Sequence, residues 1–242
     1  MTDVLYVVRG DRPCLRHSLR SLAKFASNVG RVVVAGTDLP AWLSDEVVRV
    51  EVPSPYDRKQ KNVMFAVFEA MRRGTVGRCL YSSDDHFTTA PTDFDAYPVY
   101  GQLRGYPPLP SPTDAIQTSV YETGRLLASY GLPCDLRVDG HWNTWVDSRD
   151  LFAVETMARG YELTSCGYEP TTLFVAAMCA AGRAPTMTLM HDFKLTAEGD
   201  AGADFDVLAS RGVMSATSLD RCPRFRAWLE SQFPEPCRWE AA

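Results

Sequence analysis

The chain has 242 residues, a net charge of −5, and 45% hydrophobic against 23% charged residues, an ordinary globular balance with length enough for a sizeable core. The acidic balance argues against a protein that coats nucleic acid by bulk attraction, and no apolar run reaches the ~18 residues needed to span a bilayer. Seven cysteines, at 14, 79, 134, 166, 179, 222 and 237, include no CxxC pair, so zinc-ribbon and thioredoxin-like readings lack support and reduced, mostly buried thiols are expected.

The N-terminus, MTDVLYVVRGDRP, carries an acid at once and an apolar run of only five residues. This predicts a first strand over Val4–Val8 rather than a signal peptide, and with it residence in the cytoplasm. Pro13 to Ala26 has Leu15, Leu19, Leu22 and Phe25 at helical intervals. Val32–Ala35 reads as a second buried strand ended by Gly36, Pro40 to Leu43 as a turn or short helix, and Val47–Val52 as a third strand closed by Pro53 and Pro55. Asn62 to Arg73 reads as a second amphipathic helix, and Arg78–Ser82 as a fourth strand. This alternation predicts an α/β fold with a mostly parallel sheet covered by helices. Beyond it come Pro-, Tyr- and Gly-rich loops with one strand at Tyr97–Leu103, helices over 115–130 and 148–160, and a buried apolar helix over 171–182. Residues 196–206 read as an exposed, mobile loop, and Phe225 to Trp239 as a short helix with a Pro-punctuated tail. No stretch reads as a linker and no repeat occurs, so one domain over 1–242 is expected.

The strongest chemical signal is CLYSSDDHF, where an apolar strand runs into Asp84 and Asp85. Ligands of open α/β sheets bind beyond the carboxyl ends of strands. Adjacent acids repel unless a cation or hydrogen-bond donors offset their charge, and a divalent metal does so while attracting a diphosphate. Two basic groups, Arg12/Arg16/Arg20 and Arg58/Lys59/Lys61, are either solvated faces or phosphate contacts. No GxxxxGK(S/T), GxSxG or HExxH occurs, so P-loop kinase, serine hydrolase and zincin readings lack their main support.

The segment CLRHSLRSLAKFASNVGRVVVAGTDLPAWLSDEVVRV, followed by YSSDDHF, resembles the Stealth-type proteins and their small phage-encoded relatives. The matching parts are the helix Leu15–Ser21, the turn Pro40-Ala41-Trp42-Leu43 and the end Ser83-Asp84-Asp85, where Ser83 replaces the family Asn. The match covers roughly residues 4–90. Further on, the stretch from Gly140 to Asp147 is similar to a family segment with a His and an apolar–Asp pair, with Asn143 in place of Pro. The ending FRAWLESQFPEPCRWE resembles the tail of phage proteins described as glycosyltransferases.

The resemblance implies a GT-A nucleotide-sugar transferase fold, with residues 1–90 as the nucleotide-sugar half and 91–242 as the acceptor half. It implies a divalent metal, Mn²⁺ or Mg²⁺, and transfer from a nucleotide-sugar, UDP-linked by preference, to an acceptor hydroxyl. A hydroxymethylated pyrimidine in phage DNA is one acceptor that this context suggests. Arg9, Gly10 and Asp11 are expected at the nucleotide, and Arg16, Lys59, Asn62 and Lys194 at or near the diphosphate. Asn62 also reads as a helix N-cap. Asp84 is expected at ribose or sugar hydroxyls and Asp85 at the metal, the two roles being interchangeable, with His191 or Asp192 completing the metal shell. His141 is the expected base, since imidazole titrates near neutrality, with Asp147 as a further catalytic candidate. The competing readings are a Stealth-like sugar-1-phosphate transferase of polysaccharide synthesis and a non-catalytic nucleotide- or carbohydrate-binding module.

Overall fold

A computed structural model describes residues 1–103, 114–132, 136–138, 142–183, 186–189, 194–216 and 218–241. In chain order the first half comprises β1 (Thr2–Arg9), α1 (Pro13–Phe25), β2 (Ala26–Ser27), β3 (Val29–Thr37), β4 (Val47–Glu51), α2 (Lys59–Arg72), β5 (Arg78–Ser83), β6 (His86–Thr88), β7 (Thr92–Asp93) and β8 (Val99–Leu103). The second comprises α3 (Ala115–Ser129), β9 (Leu136–Arg137), β10 (Thr144–Asp147), α4 (Leu151–Met157), α5 (Pro170–Ala180), β11 (Met187–Leu189), α6 (Ala197–Asp200), α7 (Phe205–Ala209), β12 (Val213–Ser215) and α8 (Pro223–Gln232).

Among the described residues the main sheet has the order β10-β5-β1-β3-β4. The pairs β5–β1, β1–β3 and β3–β4 are parallel, and the edge strand β10 is antiparallel to β5. The mixed α/β, mostly parallel architecture is the expected one. Along β1 the side chains alternate between two cores, as a pleat requires. Val4, Tyr6 and Val8 meet Leu15, Leu19 and Leu22 of α1, while Leu5 meets Met64, Val67 and Phe68 of α2. The two crossover helices thus cover opposite faces. The chain steps outward from β1 to β3 to β4, then returns across β1 to β5. That reversal opens a crevice at the carboxyl ends of β1 and β5, where open sheets bind ligands.

Several boundaries differ from expectation. The second long strand runs on through Gly36 to Thr37, and Gly36 is needed inside it: at φ +150°, a Cβ there would stand 1.8 Å from the Val8 carbonyl oxygen. Asn62 is not an N-cap. Helix α2 begins at Lys59, and the Asn62 amide instead staples the preceding loop, accepting from Tyr56 N (3.0 Å) and donating to Tyr56 O (2.8 Å) and Arg58 O (3.1 Å). The apolar stretch 171–182 is the buried α5, wrapped on all sides as its composition demands. Residues 196–206 are not a mobile loop. Asp200 is buried and caps α8, accepting from Arg224 N (3.0 Å) and Phe225 N (2.8 Å), and Phe205 packs into a third core with Phe87 and Phe225. Among the described residues no helix is long and apolar enough to cross a membrane.

The tail folds back onto α1. Glu240, whose side chain is 1% exposed, accepts from Arg20 Nε (2.6 Å), Arg20 Nη2 (2.8 Å) and Arg16 Nη1 (3.1 Å). The Arg16 guanidinium lies 4.1 Å from the centre of the Trp42 ring, and Leu43 bridges to Glu240. The LRHSLRS helix, the PAWL turn and the FPEPCRWE tail therefore form one latch. Burial pushes the Glu240 carboxyl up in pKa, but the Arg20 hydrogen bonds outweigh it and hold the group below the usual glutamate value. Glu240→Gln should cost about 3 kcal/mol of unfolding free energy in urea, the loss expected for breaking a buried ion pair. Because the folded pKa is depressed, the wild-type advantage is complete above the ordinary value of 4.5 and disappears as pH falls through the folded value.

Candidate active site

The two carboxyl ends at the reversal carry different chemistry. Beyond β1, Gly10 turns the chain at φ +69°, a conformation that favours glycine, and its N–H donates to Thr37 O at 3.0 Å. Beyond β5, Asp84 and Asp85 make a tight turn into β6. Serines of α1 hold that turn from below. Ser18 Oγ donates to the His86 carbonyl while accepting from the buried Tyr6 hydroxyl (3.0 Å), and Ser21 Oγ accepts from Thr88 N at 3.0 Å. The third partner comes from far along the chain. Strand β12 pairs antiparallel with β6, Leu195 N donates to Ser215 O at 2.8 Å, and this sets Lys194 Nζ 2.9 Å from Asp85 Oδ2.

A cavity of about 520 Å³ opens over this turn. Its walls include Arg9 at the end of β1, Arg12 just beyond it, Lys59 at the start of α2, both acids, and Lys194. A smaller cavity of about 140 Å³ lies alongside and shares Lys59, Val63, Asp85 and Lys194 with it. A larger hollow of about 770 Å³ lies between α1 and the tail. Two of its cations are already committed, Arg20 to Glu240 and Lys24 to Gln232 O, and neither Asp84 nor Asp85 lines it.

The two acids sit in different fields. Burial, then the charge of Asp85, raises the Asp84 carboxyl above the ordinary range, with Lys59 and Arg12 opposing. Burial acts the same way on Asp85, but His86, Lys194 and Lys59 together pull that carboxyl below the ordinary range. His86 Nε2 stands 3.9 Å from Asp85 Oδ1. The negative charge of the pair therefore concentrates on Asp85 and is answered by a fan of cations from separate segments, a field suited to a polyanion.

Arg9, Lys59, Asn62, Asp84, Asp85 and Lys194 all line the larger cavity. Four others among the described residues, Arg16, Asp11, Asp147 and Gly10, do not. Arg16 is tied to Glu240 and Trp42 in the latch, and Asp11 accepts from Trp42 Nε1 at 2.8 Å. Asp147 is corrected outright: β10 runs antiparallel to β5, so Asp147 pairs with Arg78 at the opposite end of the sheet from the acids. There it accepts from the Arg149 side chain and from Arg183 Nη1 (3.3 Å), and it is buried. Gly10 serves the turn itself. Of the second basic group only Lys59 faces the cavity; buried Lys61 donates to Glu162 O at 2.8 Å. His141, His191 and Asp192 lie outside the described residues. Arg12 was expected only as part of a basic group; its place just past the first strand was the signal that marks it. Glu169 on the smaller cavity carried no motif, whereas Trp142 falls inside the stretch from Gly140 to Asp147, where the expected base is His141.

Among the described residues no three His, Cys, Asp or Glu side chains come together to hold a metal. Two adjacent carboxylates on a cavity wall do fit a hard divalent cation whose remaining ligands come from substrate phosphates. The electrostatics make a direct prediction. Asp85→Asn should lower the Asp84 pKa by removing a like charge, and Lys194→Met should raise that of Asp85. Carboxyl-carbon NMR titration reads both directions.

No family model matches this chain, and no curated relative does. Among solved structures, it is similar to the galactosyltransferase LgtC in complex with donor and acceptor sugar analogs, with a TM-score of 0.48 and 9% identity over 98% of each chain.

Proposed function

We propose that the chain is a cytoplasmic glycosyltransferase of the GT-A kind that takes a sugar from a nucleotide-sugar, UDP-linked by preference, and joins it to an acceptor hydroxyl. The observation that carries this reading is the Asp84–Asp85 turn at the sheet reversal, faced across one cavity by Arg9, Arg12, Lys59 and Lys194. The likeness of residues 4–90 to the Stealth-type pattern supports it from the sequence side.

A nucleoside diphosphate is the leaving group of such a transfer, and its developing charge needs preorganised cations. Lys59 and Lys194 stand where the two cavities meet and would bind the diphosphate oxygens, with Arg9 and Arg12 further along the larger cavity. Asp84 and Asp85 would hold a divalent metal, with His191 as a further ligand, and when bound that metal supplies Lewis-acid neutralisation of the diphosphate. Lys194, freed from Asp85, would then turn to phosphate. His141, the chain neighbour of the cavity-lining Trp142, would take the proton of the attacking hydroxyl.

Asp85→Ala should lower turnover by at least ~10²-fold, the contribution expected of a preorganised electrostatic group. Normal turnover of that variant with saturating Mn²⁺ would contradict the reading. A panel of nucleotide-sugars with and without Mn²⁺, scored by thermal stabilisation, identifies the donor. Release of UDP supports glycosyl transfer, and release of UMP selects the Stealth-like sugar-1-phosphate reaction instead.

A further inference from the structure

The smaller cavity has a chemistry distinct from the larger one. Trp142, 2% exposed, lines it, and its indole Nε1 is buried with no hydrogen-bond partner among the described residues. Three other indoles are answered: Trp42 donates to Asp11 (2.8 Å), Trp145 to Tyr97 O (2.7 Å) and Trp228 to Asp206 (3.0 Å). An unanswered buried donor is costly, and a ligand oxygen placed against it removes that cost. Around it the wall mixes ring and hydrocarbon surface, Tyr81 and Pro170, with the hydroxyls of Ser83 and Thr171 and the carboxylate of Glu169. Such a lining suits a molecule with apolar faces and polar edges.

Charge narrows the class. Among the described residues the wall carries Asp85 and Glu169 against Lys59, Lys194 and the imidazole of His86, a near balance of charge rather than the strongly cationic face a polyanion calls for. The volume of about 140 Å³ admits a single ring and not an extended chain. The shared residues Lys59, Asp85 and Lys194 put any occupant directly beside whatever the acids hold.

Resting on the transferase reading, we propose that this cavity is the acceptor site and takes a neutral, hydroxylated ring the size of one sugar unit. The Trp142 indole N–H donates to a ring or hydroxyl oxygen, and the Glu169 carboxylate accepts from a hydroxyl. Trp142→Phe keeps the ring and removes only the donor. It should raise KM for the preferred methyl glycoside about tenfold, the effect of one lost hydrogen bond, with kcat little changed. Ile116, 60% exposed at the rim, offers a variant that leaves the core intact: Ile116→Trp should likewise raise that KM by narrowing the mouth. Affinity for UDP, measured by calorimetric titration, should stay at the wild-type value in both.

The assay offers methyl glucoside, methyl galactoside and methyl N-acetylglucosaminide beside a duplex oligonucleotide carrying 5-hydroxymethylcytosine. Unchanged KM in both variants, or transfer to the oligonucleotide in preference to every glycoside, overturns the proposal while leaving the transferase reading intact. Failure of the wild-type chain to bind UDP or to release UDP or UMP from any donor overturns both.

Discussion

Two carboxylates side by side at the end of a buried strand are an electrostatic burden, and the surroundings of Asp84 and Asp85 are organised to relieve it. Lys194 bridges Asp85 directly, while Lys59 and Arg12 act through space on one or both acids. These cations come from a late segment, the start of α2 and the loop after β1. The result is a turn whose charge is neutralised by groups that also face an open cavity. The cations that answer the acids are thus the same side chains that line the cavity above them.

The segments that give the chain its resemblance turn out to have two separate duties. In α1, Ser18 and Ser21 reach forward to the backbone of β6 and fix the acidic turn. Arg16 and Arg20, on another side of the same helix, reach to Glu240 and close the tail over the Trp42 turn. A pattern that reads as one motif is therefore part site support and part structural clamp. Arg16 belongs to the clamp, because its guanidinium is held between a carboxylate and an indole face.

The paired cavities give the molecule a direction. The larger lies toward the loop after β1 and the start of α2, and the smaller toward β10 and the start of α5. Edge strand β10 runs antiparallel to β5, with Trp142 and Thr144 sharing a cavity wall with Asp85, and with Asp147 at the opposite end. The two cavities thus share one wall, with Lys59, Asp85 and Lys194 common to both.

Local pattern alone determined the alternation of strands and helices through residue 83, the apolar α5, and the place of Asp84 and Asp85 at the end of a buried strand, because each of these depends on residues close in sequence. Period-two and helical spacing, a glycine after a strand and an acid pair after an apolar run are short-range signals. Tertiary structure decided the rest. Lys194 reaches Asp85 only through the pairing of β12 with β6, and Glu169 and Trp142 share a wall only because α5 and β10 pack beside β5. The polar stretch 196–206, loop-like by composition, is ordered because Asp200 finds the open N–H groups of α8 more than twenty residues later. Asp147 and Arg16 look like site residues by motif but lie away from the acid pair, since strand sense and long-range ion pairing, which no local window contains, set where a charged side chain comes to rest.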